Sequence, residues 1–102
     1  MDRIGGRIDV NDTGCALEVR LIGEFDLANV DVLKDCLAAW VLQGRREATL
    51  DLSETEFIDS TIIGTLITAQ VAGLRLTARG AQGGVRRALE VAAAGEVIKI
   101  ED

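Results

Sequence analysis

Apolar residues recur along the chain at two spacings, and the change from one to the other marks its elements. In the run from Cys15 to Ile22, Leu17, Val19 and Leu21 alternate with Glu18 and Arg20, the two-residue period of a half-buried strand. An earlier apolar run, Arg7 to Asn11, is separated from it by Asp12-Thr13-Gly14, a hairpin-turn composition. After Gly23-Glu24-Phe25 the spacing lengthens. Val30, Leu33, Leu37, Trp40 and Val41 recur at the three- and four-residue steps of one helical face. Asp26 is placed to cap that helix, with Phe25 and Val30 at staple positions around the cap. Gly44 ends it, and Arg45-Arg46 suit the negative end of its dipole.

The second half repeats the alternation of elements. Ala48 to Leu52 reads as a strand, Ser53 to Glu56 as a polar stretch, and Phe57-Ile58 as an apolar pair leading into a second helix capped by Asp59. Ile58 and Ile63 take its staple positions; Ile63, Leu66 and Ile67 form its inward stripe, and Thr61, Thr65 and Thr68 face the other way. This helix is short, stopping near Val71 to Gly73. Leu74 to Ala78 follows as a strand, Gly80 to Gly84 as a loop, Val85 to Ala93 as a third helix and Val97 to Ile100 as a last strand. The order β-β-α-β-α-β-α-β predicts an α/β fold. Right-handed crossover helices join parallel strands into a small mixed sheet, and the N-terminal hairpin supplies its antiparallel pair.

Composition narrows the classes of function. With 102 residues, 48% of them apolar and 27% charged, the chain 1–102 is expected to be a single domain that folds without metal or disulfide staples. The formal charge of -6 disfavours nucleic acid, which needs a basic surface, and disfavours docking on anionic lipid by charge. No apolar run approaches the length of a membrane span, and the N-terminus lacks the apolar stretch of a signal peptide, so neither membrane insertion nor export is expected. Cys15 and Cys36 lie far apart with no CxxC pattern, and the chain has no histidine; a zinc site is not expected and a reduced, cytoplasmic protein is. The two thiols read as small buried hydrophobes, with a redox role as the alternative.

Catalysis finds little to work with. Without histidine, Ser60 has no imidazole to take its proton, and the only lysines, Lys34 and Lys99, are far from it in sequence. Glu24, Asp26, Glu54, Glu56 and Asp59 supply material for a carboxylate pair or a divalent-cation site; the other reading is solvated loop charges and helix caps. Gly80-Ala81-Gln82-Gly83-Gly84 precedes a helix as a phosphate-binding loop would, but lacks the Gly-Lys-Ser/Thr ending. No enzyme activity and no cofactor are expected.

One segment carries more. Leu50-Asp51-Leu52, then Phe57-Ile58-Asp59-Ser60-Thr61-Ile62-Ile63-Gly64, joins a strand to a helix through a hydroxyl-bearing first turn. Together with Gly-Glu-Phe-Asp at Gly23 to Asp26, this pattern resembles the STAS domain, and especially the free-standing bacterial anti-sigma factor antagonists, over about residues 7 to 100. The resemblance implies an antagonist that binds an anti-sigma factor kinase and is switched off by serine phosphorylation. Ser60 is the implied acceptor, with Thr61 as the alternative. Glu24, Asp26, Asp59, Ser60, Thr61 and Ile62 form the implied partner-facing patch, Ile62 standing where the family has glycine. A phosphate at Ser60 would add about -1.5 to -2 of charge and change the docking surface without changing the fold. The alternative is a non-phosphorylated STAS subunit of a larger assembly, such as a lipid-transport ATPase complex or a stress-sensing scaffold. A short second helix and the lack of a further C-terminal helix would leave one face under-covered, from which a homodimer is expected.

Overall fold

The computed structural model describes residues 6–14, 16–92 and 98–101; the expectations for Cys15, Ala93 and Val97 lie outside the described residues. Its elements are β1 (Arg7–Asp12), β2 (Leu17–Phe25), α1 (Val30–Leu42), β3 (Glu47–Asp51), β4 (Thr55–Ile58), α2 (Ser60–Val71), β5 (Arg75–Arg79), α3 (Gly83–Val91) and β6 (Lys99–Glu101). The sheet runs β1-β2-β3-β5-β6, with β4 paired to β2. β1 and β2 form the antiparallel hairpin, and every other pairing is parallel. This is the α/β fold expected from the sequence, with one strand more.

That extra strand is β4. β2 pairs with β3 along Glu18 to Arg20, then bulges at Gly23 and pairs with β4 along Glu24 and Phe25. The Thr55 hydroxyl donates to the Leu21 carbonyl at 2.5 Å, and the Gly23 N–H donates to the Glu54 carbonyl at 3.0 Å, closing the step between β3 and β4. Glu56 and Phe57 are both exposed, so β4 lacks the alternation by which β2, β3 and β5 announce themselves.

Along β2, β3 and β5 one parity of residues is buried: Leu17, Val19 and Leu21; Ala48 and Leu50; Leu76 and Ala78. Successive right-handed crossovers that all step the same way across the sheet put their helices on one face, and these residues point to it. Leu33, Leu37 and Trp40 of α1, Ile62, Ile63 and Leu66 of α2, and Val85 and Leu89 of α3 complete the core. The opposite face carries ion pairs: Arg20 to Asp51 at 3.5 Å and Arg79 to Glu101 at 3.7 Å. The side of the sheet turned away from the helices is therefore charged and not apolar.

α1 ends as the sequence predicts. Gly44 takes a φ of +78°, its N–H donates to the Val41 carbonyl, and the Arg45 N–H donates to the Trp40 carbonyl. Arg45 does not serve the helix dipole, however. Its guanidinium forks onto Asp12 at 2.7 and 2.8 Å and ties the end of β1 to the start of β3. Cys36 is half-buried against the core; burial, and then the neighbouring Asp35 charge, push its thiol pKa up.

Candidate partner-docking site

Because β2 and β4 are parallel neighbours, their C-terminal ends, Phe25 and Ile58, lie side by side and feed two adjacent turns. Asp59 sits in the second turn with extended backbone, φ -114°, just before α2. One of its carboxylate oxygens accepts the Ile62 N–H at 3.1 Å, the cap expected from the sequence. The other accepts the Leu27 N–H at 3.2 Å and holds the first turn against the second. Ile58 and Ile63, on either side of the cap, are both buried.

Asp26 does not cap α1. Its Oδ1 accepts the Ala28 N–H at 2.9 Å and its carbonyl accepts the Asn29 N–H at 3.1 Å, so it caps a single turn that precedes the helix. Asn29 closes that turn from the other end: its Oδ1 accepts the Asp26 N–H and its Nδ2 donates to the Glu24 carbonyl, both at 2.9 Å. Sequence reasoning did not single out Asn29. Its signal is the three-residue spacing from Asp26, the reciprocal arrangement of a capping box.

Glu24, Asp26, Asp59, Ser60 and Thr61 are thereby brought to one edge of the fold. Ser60 is the first residue of α2 and is exposed, and its hydroxyl makes no hydrogen bond among the described residues. Thr61 is half-buried. Ile62 does not belong to the surface: its side chain is fully buried in the core, and only its backbone N–H takes part, in the Asp59 cap. The helix turns it inward, since position 62 shares a face with Leu66 and Ala69.

The rim also holds two apolar side chains that periodicity does not flag. Leu27 is 72% exposed in the first turn, and Phe57, 49% exposed, is the ladder partner of Glu24. Of the acidic residues, Glu54 is drawn away to Arg20 at 3.4 Å. Among the described residues no group of three or more carboxylates and thiols converges as a metal cage. The expected 80–84 loop is shorter, because Gly83 and Gly84 already belong to α3. Gly80 has a φ of +79°, and a side chain there would press on Ser53 in the β3–β4 step.

Beyond Thr61 an open groove of about 850 Å³ runs between α1 and α2, lined by Leu37, Ala38 and Leu42 on one side and by Gly64, Thr68 and Ala72 on the other. No helix among the described residues is long and apolar enough to cross a membrane.

Residues 8–99 match the family described as "Mlab, STAS domain". No curated protein matches the sequence. Among solved structures, the chain is similar to an anti-sigma factor antagonist from Mycobacterium paratuberculosis, at 22% identity and a TM-score of 0.79 over 94% of this chain and 85% of that one. It is similar also to the anti-sigma factor antagonist SpoIIAA in its unphosphorylated form, at 18% identity and a TM-score of 0.71 over 96% and 88% of the two chains. The Bacillus cell fate determinant SpoIIAA in its phosphorylated form matches at 16% identity and a TM-score of 0.71 over 94% and 92%. At these identities the likeness is one of fold.

Proposed function

The chain belongs to the STAS domain family, and on that premise we propose that it is an anti-sigma factor antagonist, working in the cytoplasm by binding and not by catalysis. Its partner is an anti-sigma factor that is also a serine kinase, and phosphorylation of Ser60 releases it. The observation that carries this reading is Ser60 itself: an exposed hydroxyl, not engaged within the fold, at the first residue of a helix whose start is tied to the neighbouring turn by Asp59. The antagonists of similar fold, one of them in a phosphorylated form, support it.

The physical mechanism needs no rearrangement. Asp59 already occupies the helix N-terminus with a carboxylate, so a phosphate on the next residue sets a second anion beside it. A partner docking over Glu24, Asp26, Asp59, Ser60 and Thr61 would then have to desolvate a dianion within an acidic rim. Incubation of the protein with ATP and each purified anti-sigma factor kinase of its source, followed by mass spectrometry, tests the reading. Phosphate on Ser60 with loss of kinase binding is expected, and Ser60→Ala should bind the kinase while resisting phosphorylation.

A second reading is a non-phosphorylated STAS subunit of a larger assembly, such as a lipid-transport ATPase complex or a stress-sensing scaffold. It is favoured by the matching family's description, which does not name an antagonist, and by the uncovered groove between α1 and α2. Absence of phosphate with every kinase would select it. A homodimer is compatible with either reading.

A further inference from the structure

From Ser60 to Val71, α2 carries no charged residue. Its threonines add little polarity, because the Thr65 hydroxyl donates to the Thr61 carbonyl and the Thr68 hydroxyl to the Gly64 carbonyl, each at 2.9 Å. The wall that α2 gives the groove is uncharged, and Gly64 and Thr68 on it are exposed. Gly64 sharpens the point: it lies within the helix, and a side chain added there would meet nothing within 4 Å. Glycine in a helix interior is destabilising relative to alanine. Nothing in its own fold requires that cost, whereas close approach by another molecule would.

α1 supplies the matching wall. Lys34, Asp35, Ala38, Val41 and Leu42 line the groove at steps of three and four, and Leu42 is 87% exposed. The only charges among the lining residues are Lys34 and Asp35, adjacent and opposite in sign. The chain as a whole carries -6, which opposes self-association, but this face sums to zero. A two-fold axis across it can set Lys34 of one copy against Asp35 of the other, twice, while small residues on α2 admit the facing helix.

We propose that the open face of α1 and α2 is where a second copy of this chain packs, forming a two-fold dimer held by the groove and by reciprocal Lys34–Asp35 pairs. Helices of 13 and 12 residues side by side make a face on the order of 400 Å². That is about half the area each partner contributes to a standard interface, so the dimer is weak and depends on concentration. Thr61 belongs both to the groove and to the surface beside Ser60, so self-association and partner docking compete. The inference stands on the charge and packing of this face and holds under either functional reading.

Sedimentation equilibrium of the full chain from micromolar to millimolar concentration tests it, with circular dichroism to confirm that each variant folds. A reversible dimer is expected. Thr68→Glu, which puts a carboxylate in the groove, and Lys34→Asp, which turns two opposite-charge pairs into two like-charge pairs, should each weaken it about tenfold. The double variant Lys34→Asp/Asp35→Lys restores reciprocity and should recover the wild-type association. A strict monomer at millimolar concentration overturns the proposal. So does a dimer indifferent to both single variants, or a double variant no tighter than Lys34→Asp.

Discussion

Asp59 and Leu27, 32 residues apart, are joined by one hydrogen bond: the Asp59 Oδ2 accepts the Leu27 N–H at 3.2 Å while its Oδ1 caps α2. A single carboxylate thus orders the first turn of the helix that bears Ser60 and the turn that bears Asp26. Asp59→Ala should lose the cap, worth about 1 kcal/mol, together with the link between the turns. Asp59→Asn keeps only one of the two acceptors and should lose less than Asp59→Ala, but more than nothing. Urea unfolding of the two variants measures the difference, and equal losses would show that the carboxylate's geometry is immaterial.

The family resemblance places Ile62 in the partner-facing patch, in the position of the family glycine, but its side chain lies in the core. Ile62→Ala should therefore destabilise by about 2–4 kcal/mol, as truncation of a buried aliphatic side chain does. A surface residue would change stability by less than about 0.5 kcal/mol. Thermal unfolding distinguishes the two, and Ser60→Ala, at an exposed position, provides the contrast.

Gly64→Ala should raise the unfolding free energy of the monomer by about 0.5–1 kcal/mol, since the added methyl has open space and the helix gains propensity. If the second copy packs on Gly64, the same variant weakens the dimer. Opposite signs for unfolding of the dilute monomer and for dimer association are the expected signature, read by denaturation at low concentration and by sedimentation.

Acid should weaken the tie between the end of β1 and the start of β3. The Arg45 guanidinium, and after it the Gly14 N–H, hold the Asp12 carboxyl down from its ordinary 3.8 to about 2. A carboxylate depressed in the folded state contributes stability that is fully present above its unfolded value and is lost as the pH falls through its folded one. The Asp12 contribution should therefore fade between pH 3.8 and about pH 2. Asp51, held down by the Ser53 hydroxyl and N–H, adds to a loss of the same sign. Tm measured against pH should fall less steeply in Arg45→Ala than in the wild type. Parallel curves would count against the pairing.

What the sequence determined by itself follows from one-sided burial. Leu17, Val19 and Leu21 had to alternate and Val30, Leu33, Leu37 and Trp40 had to recur at helical steps, because each element buries a single face, so elements, order and fold class were legible. Asp59 was legible too, since a cap is decided within four residues of chain. Tertiary structure decided what depends on neighbours distant in sequence. β4 is a strand because Gly23 bulges β2 toward it, and Arg45 serves Asp12 because the hairpin end lies beside it. Ile62 turns inward because α2 rests on the sheet by that side, and Leu27 joins the site through a carboxylate 32 residues away. Periodicity records which face of an element is covered; it does not record by what.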